Sequence, residues 1–500
     1  MADILLTHSY FLRFDPKQFR TMMPYPPLGT LYAGAVLRES GFSVALFDSM
    51  LAEKEEDLYD TLQVHQPNIV AIYDDDFNYL TKMCLSRMRV AAFRLSEIAK
   101  KFGAAVIVHS SDAVDHAEEY LAHGADYVVV GEGEQTLLEV CRALNSGSSP
   151  AIHSINGIVF RYGNQIVRTP KRRLIQNLDA LPFPAWELVD IEKYRSLWTK
   201  HHGYFSVNMV TTRGCPFHCN WCAKPIYGQV YNSRSPEHVV EEMKFLRSAL
   251  QPDHIWFADD IFGLKPGWVQ KFSETVQREK TVIPFKCLSR VDLLLKNDTI
   301  PVLKHAGCET VWIGAESGSQ KILDAMEKGI TVEQVYQSTS AMKRHGIRVG
   351  FFLQFGYSGE ERSDIDATLR MVRECSPEEI GISVSYPLPG TKFYESVKTE
   401  LKAKQNWVDS DDLEVMFAGR YTPEFYRVLH SYTHKQFQTH RAHTILCSLL
   451  KLRSMNRKAL RTLALSPYYL FSSLVLKFRL HTLEAEPNPK YATVHLEPIS

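Results

Sequence analysis

The chain of 500 residues is too long for one ordinary domain, since domains usually run to about 100–200 residues. Its 57 lysines and arginines balance its 57 aspartates and glutamates, and this zero net charge argues against nucleic acid as the main partner. A composition of 45% hydrophobic and 23% charged residues excludes a disordered chain, and nine cysteines are too few for a secreted disulfide scaffold. We therefore expect about two to four globular domains.

No part of the sequence predicts an export signal or a membrane span. The segment Met1–His8 has no basic leader, and no run of about eighteen apolar residues occurs. We expect a cytoplasmic protein, in a reducing compartment where clustered thiols indicate a metal or chemistry rather than a disulfide. Near the end of the chain, the basic segment Lys451–Arg461 precedes the apolar segment Leu463–Phe478. A packed helix with a solvated face is favoured there over a helix bound to a membrane surface.

Residues 1–145 alternate short apolar runs with amphipathic helical patterns. Strands separated by helices predict an α/β domain with a doubly wound, Rossmann-like sheet of five parallel strands. Ligands of such sheets bind beyond the carboxyl ends of the strands. The predicted strands are Ile4–Thr7, Ser43–Phe47, Ile69–Tyr73, Ala104–His109 and Tyr127–Val130.

Three further regions follow. Residues 146–200 predict a linker at Ser146–Pro150 and a β-hairpin with Gly163 and Asn164 at its turn. Residues 201–395 form a second βα series, which is too short for eight strands and predicts a partial (β/α)6 TIM barrel. Residues 396–500 are mostly helical, with a loose tail from Glu484. The predicted barrel strands are Phe205–Thr211, His254–Phe257, Phe285–Ser289, Thr310–Gly314, Val349–Phe355 and Glu379–Ser385.

The most informative motif is a group of three cysteines, Cys215, Cys219 and Cys222, directly after the first barrel strand. Three thiolates on one short loop can converge on one metal centre. Zinc normally needs a fourth protein ligand, and no pair of ligands with zinc spacing lies nearby. A four-iron cluster held by three cysteines leaves one iron open for a substrate or cofactor. Structural thiols or a zinc knuckle are the alternatives.

This spacing after a barrel strand resembles the radical S-adenosylmethionine (SAM) superfamily. The resemblance implies that the open iron of a [4Fe-4S] cluster binds SAM, which one electron cleaves to a 5′-deoxyadenosyl radical. It also implies that polar residues at the ends of the next strands bind SAM. Those residues are Asp259 and Asp260 after the second strand, Arg290 after the third, and Glu316 and Ser317 after the fourth.

The N-terminal domain resembles the cobalamin-binding domain of the cobalamin-dependent branch, through Pro26–Tyr32 and Gly124–Glu134. Two departures are present: the Asp-x-His-x-x-Gly motif is absent, and Val108–Asp112 replaces the usual Gly-Gly-Pro-His. A domain that has lost the cofactor and serves as a binding module is therefore an alternative. The resemblance implies cobalamin contacts at Pro27, Leu28, Gly29, Asp76, Ser110, Ser111, Gly131 and Glu132.

Together these features predict a cobalamin-dependent radical SAM enzyme. It resembles the branch that includes the anaerobic magnesium-protoporphyrin IX monomethyl ester cyclase and cobalamin-dependent methyltransferases. Methylation of an unactivated carbon of a small molecule is the leading hypothesis, and oxidative cyclisation or ring rearrangement without methyl transfer is the alternative. The resemblance also implies an external electron donor such as flavodoxin or ferredoxin.

Overall fold

A computed structural model describes residues 2–146, 152–224, 226–401, 404–449 and 457–485. The predicted linker beyond Ser146, the predicted basic segment up to Asn456 and the predicted tail beyond Ala485 lie outside the described residues. Within the described ranges, no helix is both long enough and apolar enough to cross a membrane.

The N-terminal sheet contains the five predicted parallel strands and two more. The parallel strands lie in the order β2-β1-β3-β4-β5, and β5 pairs in antiparallel fashion with the hairpin β6–β7. The hairpin predicted for the linker region therefore belongs to this sheet, because Val159 pairs with Val128 and buries its side chain in the same core. The strands are β1 Ile4–Thr7, β2 Val44–Leu46, β3 Ile69–Tyr73, β4 Ala105–His109, β5 Tyr127–Val129, β6 Ile158–Tyr162 and β7 Gln165–Arg168.

Helices cover the two faces of this sheet. The long helix after β3 buries an apolar face that includes Ala91, Leu95 and Ile98, and it ends at Gly103, whose φ of +98° is a left-handed conformation that suits glycine. The helices are α1 Pro16–Thr21, α2 Leu28–Glu39, α3 Leu58–His65, α4 Tyr79–Lys82, α5 Ser86–Phe102, α6 Ser111–Asp115, α7 Ala117–Ala122 and α8 Glu134–Asn145.

The second sheet confirms the predicted partial barrel. Its six strands are all parallel and run in the order β8-β11-β12-β13-β14-β15, while β9 and β10 form a separate antiparallel pair. The fourth strand is longer than predicted, and its register shifts between Gly314 and Glu316. The strands are β8 Ser206–Met209, β9 Thr212–Arg213, β10 Asn232–Ser233, β11 His254–Phe257, β12 Phe285–Ser289, β13 Cys308–Glu316, β14 Arg348–Phe355 and β15 Glu379–Val384.

The helices of the partial barrel alternate with its strands, and longer helices follow. The predicted helical character of the C-terminal region is confirmed. The barrel helices are α9 Ile191–His202, α10 Pro236–Ala249, α11 Trp268–Arg278, α12 Val291–Leu294, α13 Thr299–His305, α14 Gln320–Ala325, α15 Val332–Arg344, α16 Arg362–Cys375 and α17 Lys392–Val397. The C-terminal helices are α18 Pro423–Leu449, α19 Arg457–Ala464 and α20 Ser466–Glu484.

One continuous apolar core joins helices of the N-terminal domain to the strands of the partial barrel. It contains Leu28 and Tyr32 of α2 together with Val207 and Met209 of β8. Hydrogen bonds cross the same junction, since Asn208 Nδ2 donates to Pro26 O at 3.0 Å. The carboxyl-end loops of the two sheets therefore lie close to one another, which is where ligands of parallel sheets bind.

Candidate active site

The three cysteines lie on a loop that starts at β9, at the carboxyl edge of the partial barrel. All three thiols are free and partly exposed. The turn before Cys215 requires glycine, because Gly214 has a φ of +81° and a Cβ there would lie 2.2 Å from Val230 O. Burial raises the pKa of Cys222 to about 12, and Asp260 adds to the rise, so this thiol needs a positive partner such as iron to become a thiolate ligand.

Asp259 fixes the start of this loop. Its carboxylate is buried and accepts four hydrogen bonds, from the backbone amides and the hydroxyls of Thr211 and Thr212, at 2.7–3.0 Å. Burial raises the pKa of Asp259 to about 6, although the four hydrogen bonds lower it in part. The sequence predicted that Asp259 binds SAM, and the structure adds a structural role. The SAM contact stays a prediction.

Asn220, between the second and third cysteines, fixes the other end of the loop. Its Nδ2 donates to Ala325 O at 2.7 Å, and its Oδ1 accepts from the Tyr357 hydroxyl at 2.9 Å. Its backbone amide donates to Met326 O at 3.1 Å. The loop is therefore held on both sides before any cluster binds.

Among the described residues, no group of three or more His, Cys, Asp or Glu side chains is placed to hold a metal ion. A zinc site would need its ligands within about 2.3 Å of one ion. An iron–sulfur cluster instead distributes its cysteine ligands over the corners of a larger body.

Cationic side chains surround the cysteine loop. The Arg290 guanidinium carbon lies 3.7 Å from the centre of the Phe217 ring, inside the loop. Lys328 Nζ lies 5.8 Å from the Trp221 ring, and the Lys224 ammonium group donates to Phe217 O. These charges lie where a cluster with three thiolates would place negative charge.

The remaining predicted SAM residues form ion pairs or buried contacts. Glu316, with a φ of +54°, accepts from Lys328 Nζ at 2.7 Å. Asp260 pairs with Lys82 Nζ at 2.7 Å, and Lys82 belongs to the N-terminal domain. Ser317 is fully buried, and its hydroxyl lies 3.2 Å from that of Thr368. Sequence reasoning missed Lys82 and Lys328, because a lone lysine carries no motif.

The N-terminal sheet presents acidic and aromatic groups at the same junction. Asp75 accepts from the Gly29 amide at 2.9 Å, and a Cβ at Gly29 would lie 3.0 Å from the Asp76 amide. The Asp76 carboxyl lies 3.8 Å from His109 Nδ1, and His109 stacks on Tyr73 with ring centres 4.1 Å apart. This packing explains why the first turn of α2 has glycine at position 29, next to the loop that follows β3.

Several of these polar atoms are buried without a partner. Within the described part of the chain, Asp76 Oδ1, His109 Nδ1, the Tyr73 hydroxyl and Glu134 Oε2 accept or donate no hydrogen bond. Burial lowers the pKa of His109 to about 4, while its Nε2 lies 2.8 Å from Gly131 O. His109 is therefore neutral, and its Nδ1 is a free acceptor. Orphan groups of this kind indicate a polar ligand or ordered water.

Arg213 joins the two domains at the base of the cysteine loop. It donates to Glu132 at 2.5 Å and to Glu134 at 2.6 Å, and all three side chains are buried. Burial raises the pKa of Glu132, whereas Arg213 outweighs burial at Glu134 and lowers the pKa of that carboxyl. Three aromatic rings lie 5.5–5.6 Å from the guanidinium, those of Tyr32, Phe77 and Tyr227. Sequence reasoning did not identify Arg213, although it precedes the cysteine motif by two residues.

The predicted cobalamin residues have different local roles in the structure. Pro27 and Leu28 begin α2, and Gly131 has a φ of +80° that suits glycine. Ser110 and Ser111 are buried, and the Ser110 hydroxyl accepts from the Ala113 amide as a helix cap. Glu132 uses both carboxylate oxygens inside the protein, since its second oxygen accepts from the Ile175 amide at 2.5 Å. Their contacts with cobalamin stay predictions.

Comparison with known families identifies the barrel. Residues 209–372, which include all three cysteines, match the family model of the radical SAM superfamily. The protein contains a radical SAM domain. It is an enzyme, and the family resemblance given by the cysteine motif is confirmed.

Relatives cover most of the chain. An uncharacterized methyltransferase of Pyrococcus horikoshii is 28% identical over 390 residues, which is 76% of this chain and 81% of the relative. The anaerobic magnesium-protoporphyrin IX monomethyl ester cyclase of Rubrivivax gelatinosus is 24% identical over 75% of this chain, and the match spans 66% of the cyclase.

Two solved structures share the fold. The radical SAM methyltransferase TsrM of Kitasatospora setae, with cobalamin and a [4Fe-4S] cluster bound, matches 80% of this chain and 75% of TsrM at a TM-score of 0.64 and 18% identity. The cobalamin-dependent SAM radical enzyme OxsB, with aqua-cobalamin and SAM bound, matches 95% of this chain and 72% of OxsB at a TM-score of 0.69 and 17% identity. At these identities the likeness concerns the fold.

Proposed function

We propose that this radical SAM enzyme holds a [4Fe-4S] cluster and cobalamin between its two sheets and methylates an unactivated carbon of a small molecule. One observation carries the proposal: Arg213 holds the cysteine loop against Glu132 and Glu134 at the carboxyl edge of the N-terminal sheet. The two expected cofactor sites therefore face each other across one junction. Relatives named as methyltransferases favour methyl transfer.

The cysteine loop suits a cluster. Cys215, Cys219 and Cys222 are partly exposed thiols on a loop fixed at both ends, and cations surround it. When bound, the cluster supplies the electron that cleaves SAM, and cobalamin carries the methyl group. The chain's own residues position the reactants: Asp260 and Glu316 offer carboxylates to the SAM ammonium group, and Arg290 offers a cation to its carboxylate.

The edge of the N-terminal sheet suits a large polar ligand. Asp76, His109, Tyr73 and Glu134 each present a buried polar atom that no described residue satisfies. A corrin carries amide side chains around its rim, which can donate to and accept from such groups. We therefore assign Asp76 and Gly131 to the cobalamin side of the junction, with His109 as an additional neighbour.

Two alternatives have observations in their favour. The relative from Rubrivivax gelatinosus is a cyclase, which favours radical chemistry without methyl transfer. Glu132 and Ser110 already have partners inside the protein, which favours a domain that serves as a binding module without cobalamin. Both alternatives keep the cluster and SAM.

Anaerobic reconstitution with iron, sulfide and hydroxocobalamin tests the proposal. After desalting, we expect about four irons and about one corrin per chain. Iron without corrin would overturn the cobalamin assignment and support the binding-module alternative. Formation of S-adenosylhomocysteine together with 5′-deoxyadenosine would support methyl transfer, whereas 5′-deoxyadenosine alone would support the cyclase alternative.

The setting of the reaction is also part of the proposal. A cluster that must be reduced needs an external one-electron donor, and a flavodoxin or ferredoxin fits that requirement. The enzyme would meet this donor in the cytoplasm, where the thiols stay reduced. Turnover with a purified flavodoxin system, compared with turnover with dithionite, measures whether such a donor suffices.

A further inference from the structure

The last helix, α20, is apolar on two opposite sides. Its inner side is packed: Leu480 is fully buried, and Leu476 and Leu483 lie against the main core. A helix that packs on one side of a protein normally carries polar residues on the other. The outer side of α20 does not follow this rule.

The outer side exposes a row of large apolar side chains. Phe471, Leu474, Val475 and Phe478 follow the spacing of one helical face, and Phe471 and Phe478 are 69% and 78% exposed. Single exposed apolar residues are ordinary, but a contiguous row marks a site of interaction with another protein or with a membrane. The outer apolar face consists of Tyr468, Leu470, Phe471, Leu474, Val475 and Phe478 of α20.

The charge of this region differs from that of the rest of the chain. Between Glu424 and Glu484 the sequence has no aspartate or glutamate, whereas it has ten lysines and arginines. The complete chain is neutral, so the excess is local. Arg461 of α19 and Lys477 of α20 are exposed in the described structure, and the exposed Arg479 of α20 pairs with Glu424. An apolar row flanked by cations complements an anionic lipid surface.

We propose that the outer apolar face docks α20 in the plane of an anionic lipid membrane. The phenylalanine and leucine side chains enter the boundary between headgroups and acyl chains. The charged ends of the lysine and arginine side chains reach the phosphates. No described helix can span a bilayer, so the contact is with the surface. A second copy of this chain fits less well, because a symmetric pair would bring two positively charged faces together.

Sedimentation of the purified full chain with lipid vesicles tests the proposal, and it does not depend on the cofactors or on the reaction. We expect binding to vesicles of phosphatidylcholine with phosphatidylglycerol, weak binding to phosphatidylcholine alone, and weaker binding as salt is added. The double variant Phe471→Ser/Phe478→Ser should bind roughly tenfold or more weakly. Lys477→Gln should bind about fivefold more weakly to anionic vesicles only.

A matched control has an exposed aromatic side chain elsewhere. Tyr162 lies in the hairpin β6–β7 and is 65% exposed, so Tyr162→Ser should bind vesicles like the unchanged protein. Each replaced side chain is exposed, and circular dichroism checks that the variants fold. Absence of vesicle binding, or equal binding by the double variant, would overturn the proposal. If light scattering shows a dimer that the double variant converts to a monomer, the face is a subunit interface and the proposal is wrong.

Discussion

Replacement of Arg213 by methionine tests whether the buried contact with Glu132 and Glu134 holds the two domains together. The guanidinium makes contacts of 2.5 and 2.6 Å with two carboxylates that are at most 4% exposed. Without the guanidinium, Glu132 still accepts a hydrogen bond from the Ile175 amide. Glu134 loses the guanidinium as well, and its second oxygen already has no partner among the described residues. Removing one member of a buried ion pair costs about 3–5 kcal/mol, a large share of the ~5–15 kcal/mol that stabilises a folded domain.

Urea unfolding at neutral pH, followed by fluorescence, measures this loss of free energy. Methionine keeps apolar contact with the rings of Tyr32, Phe77 and Tyr227, so the loss reports the charge. Without the guanidinium, burial raises the pKa of both glutamates above their values in the unfolded chain. The folded variant then binds more protons than the unfolded chain. Its loss of unfolding free energy therefore grows as the pH rises from the unfolded pKa values to the raised pKa values of the folded state.

Two further variants control this experiment. Arg348→Met breaks a surface pair with Glu309 and should cost less than about 1 kcal/mol. The triple variant Arg213→Met/Glu132→Gln/Glu134→Gln removes the uncompensated charges and should recover part of the loss, with little dependence on pH. A loss for Arg213→Met no larger than that for Arg348→Met would refute the reasoning.

Three other predictions concern the cluster, SAM and a buried carboxyl. Cys219→Ala should abolish the iron bound after reconstitution, whereas Cys447→Ala, which removes an exposed thiol of α18, should leave it unchanged; equal iron in both would contradict the cluster assignment. Lys328→Met removes the ion pair that orients the Glu316 carboxylate and should raise the KM for SAM by about tenfold, the equivalent of ~1.4 kcal/mol, at unchanged iron content; a fall in iron content instead would assign Lys328 to the cluster. Burial raises the pKa of Glu360 to about 8, so ionisation costs the folded state stability as the pH rises from about 5 to 8. Glu360→Gln should therefore be the more stable form at pH 8, by about 4 kcal/mol in urea unfolding, and indistinguishable unfolding curves would contradict the raised pKa.

Regular elements and the cysteine loop could be predicted from the sequence. The short apolar runs of both sheets do not also fit the spacing of an amphipathic helix. All eleven predicted strands are present in the structure. The sheet that the hairpin joins could not be predicted, because the pairing of Val159 with Val128 connects segments that a helix and a linker separate in the sequence. A hairpin pattern specifies its own turn and not the strand that it joins.

The candidate site was predictable where residue type alone indicates chemistry. Three cysteines at a short spacing have few alternative explanations, whereas the role of Arg213 depends on contacts with residues about eighty positions earlier. Asp259 illustrates the converse, since an acidic residue at a strand end has the same pattern whether it faces a ligand or the amides of Thr211 and Thr212. The burial and the orientation of the carboxylate distinguish these cases, and the neighbouring sequence specifies neither of them.

The contact between Arg213 and the two glutamates also limits how the chain can be divided. Residues 2–146 and 152–168 supply the N-terminal sheet and its helices, yet Glu132 and Glu134 lie there without their cation until residue 213 has folded. An excised N-terminal fragment would expose its apolar junction and carry two uncompensated carboxylates. Ribosomal synthesis makes the glutamates first, so the nascent fragment waits for the barrel before it gains full stability. Expression trials should therefore keep both sheets in one polypeptide, even though the sequence suggests a convenient cut between them.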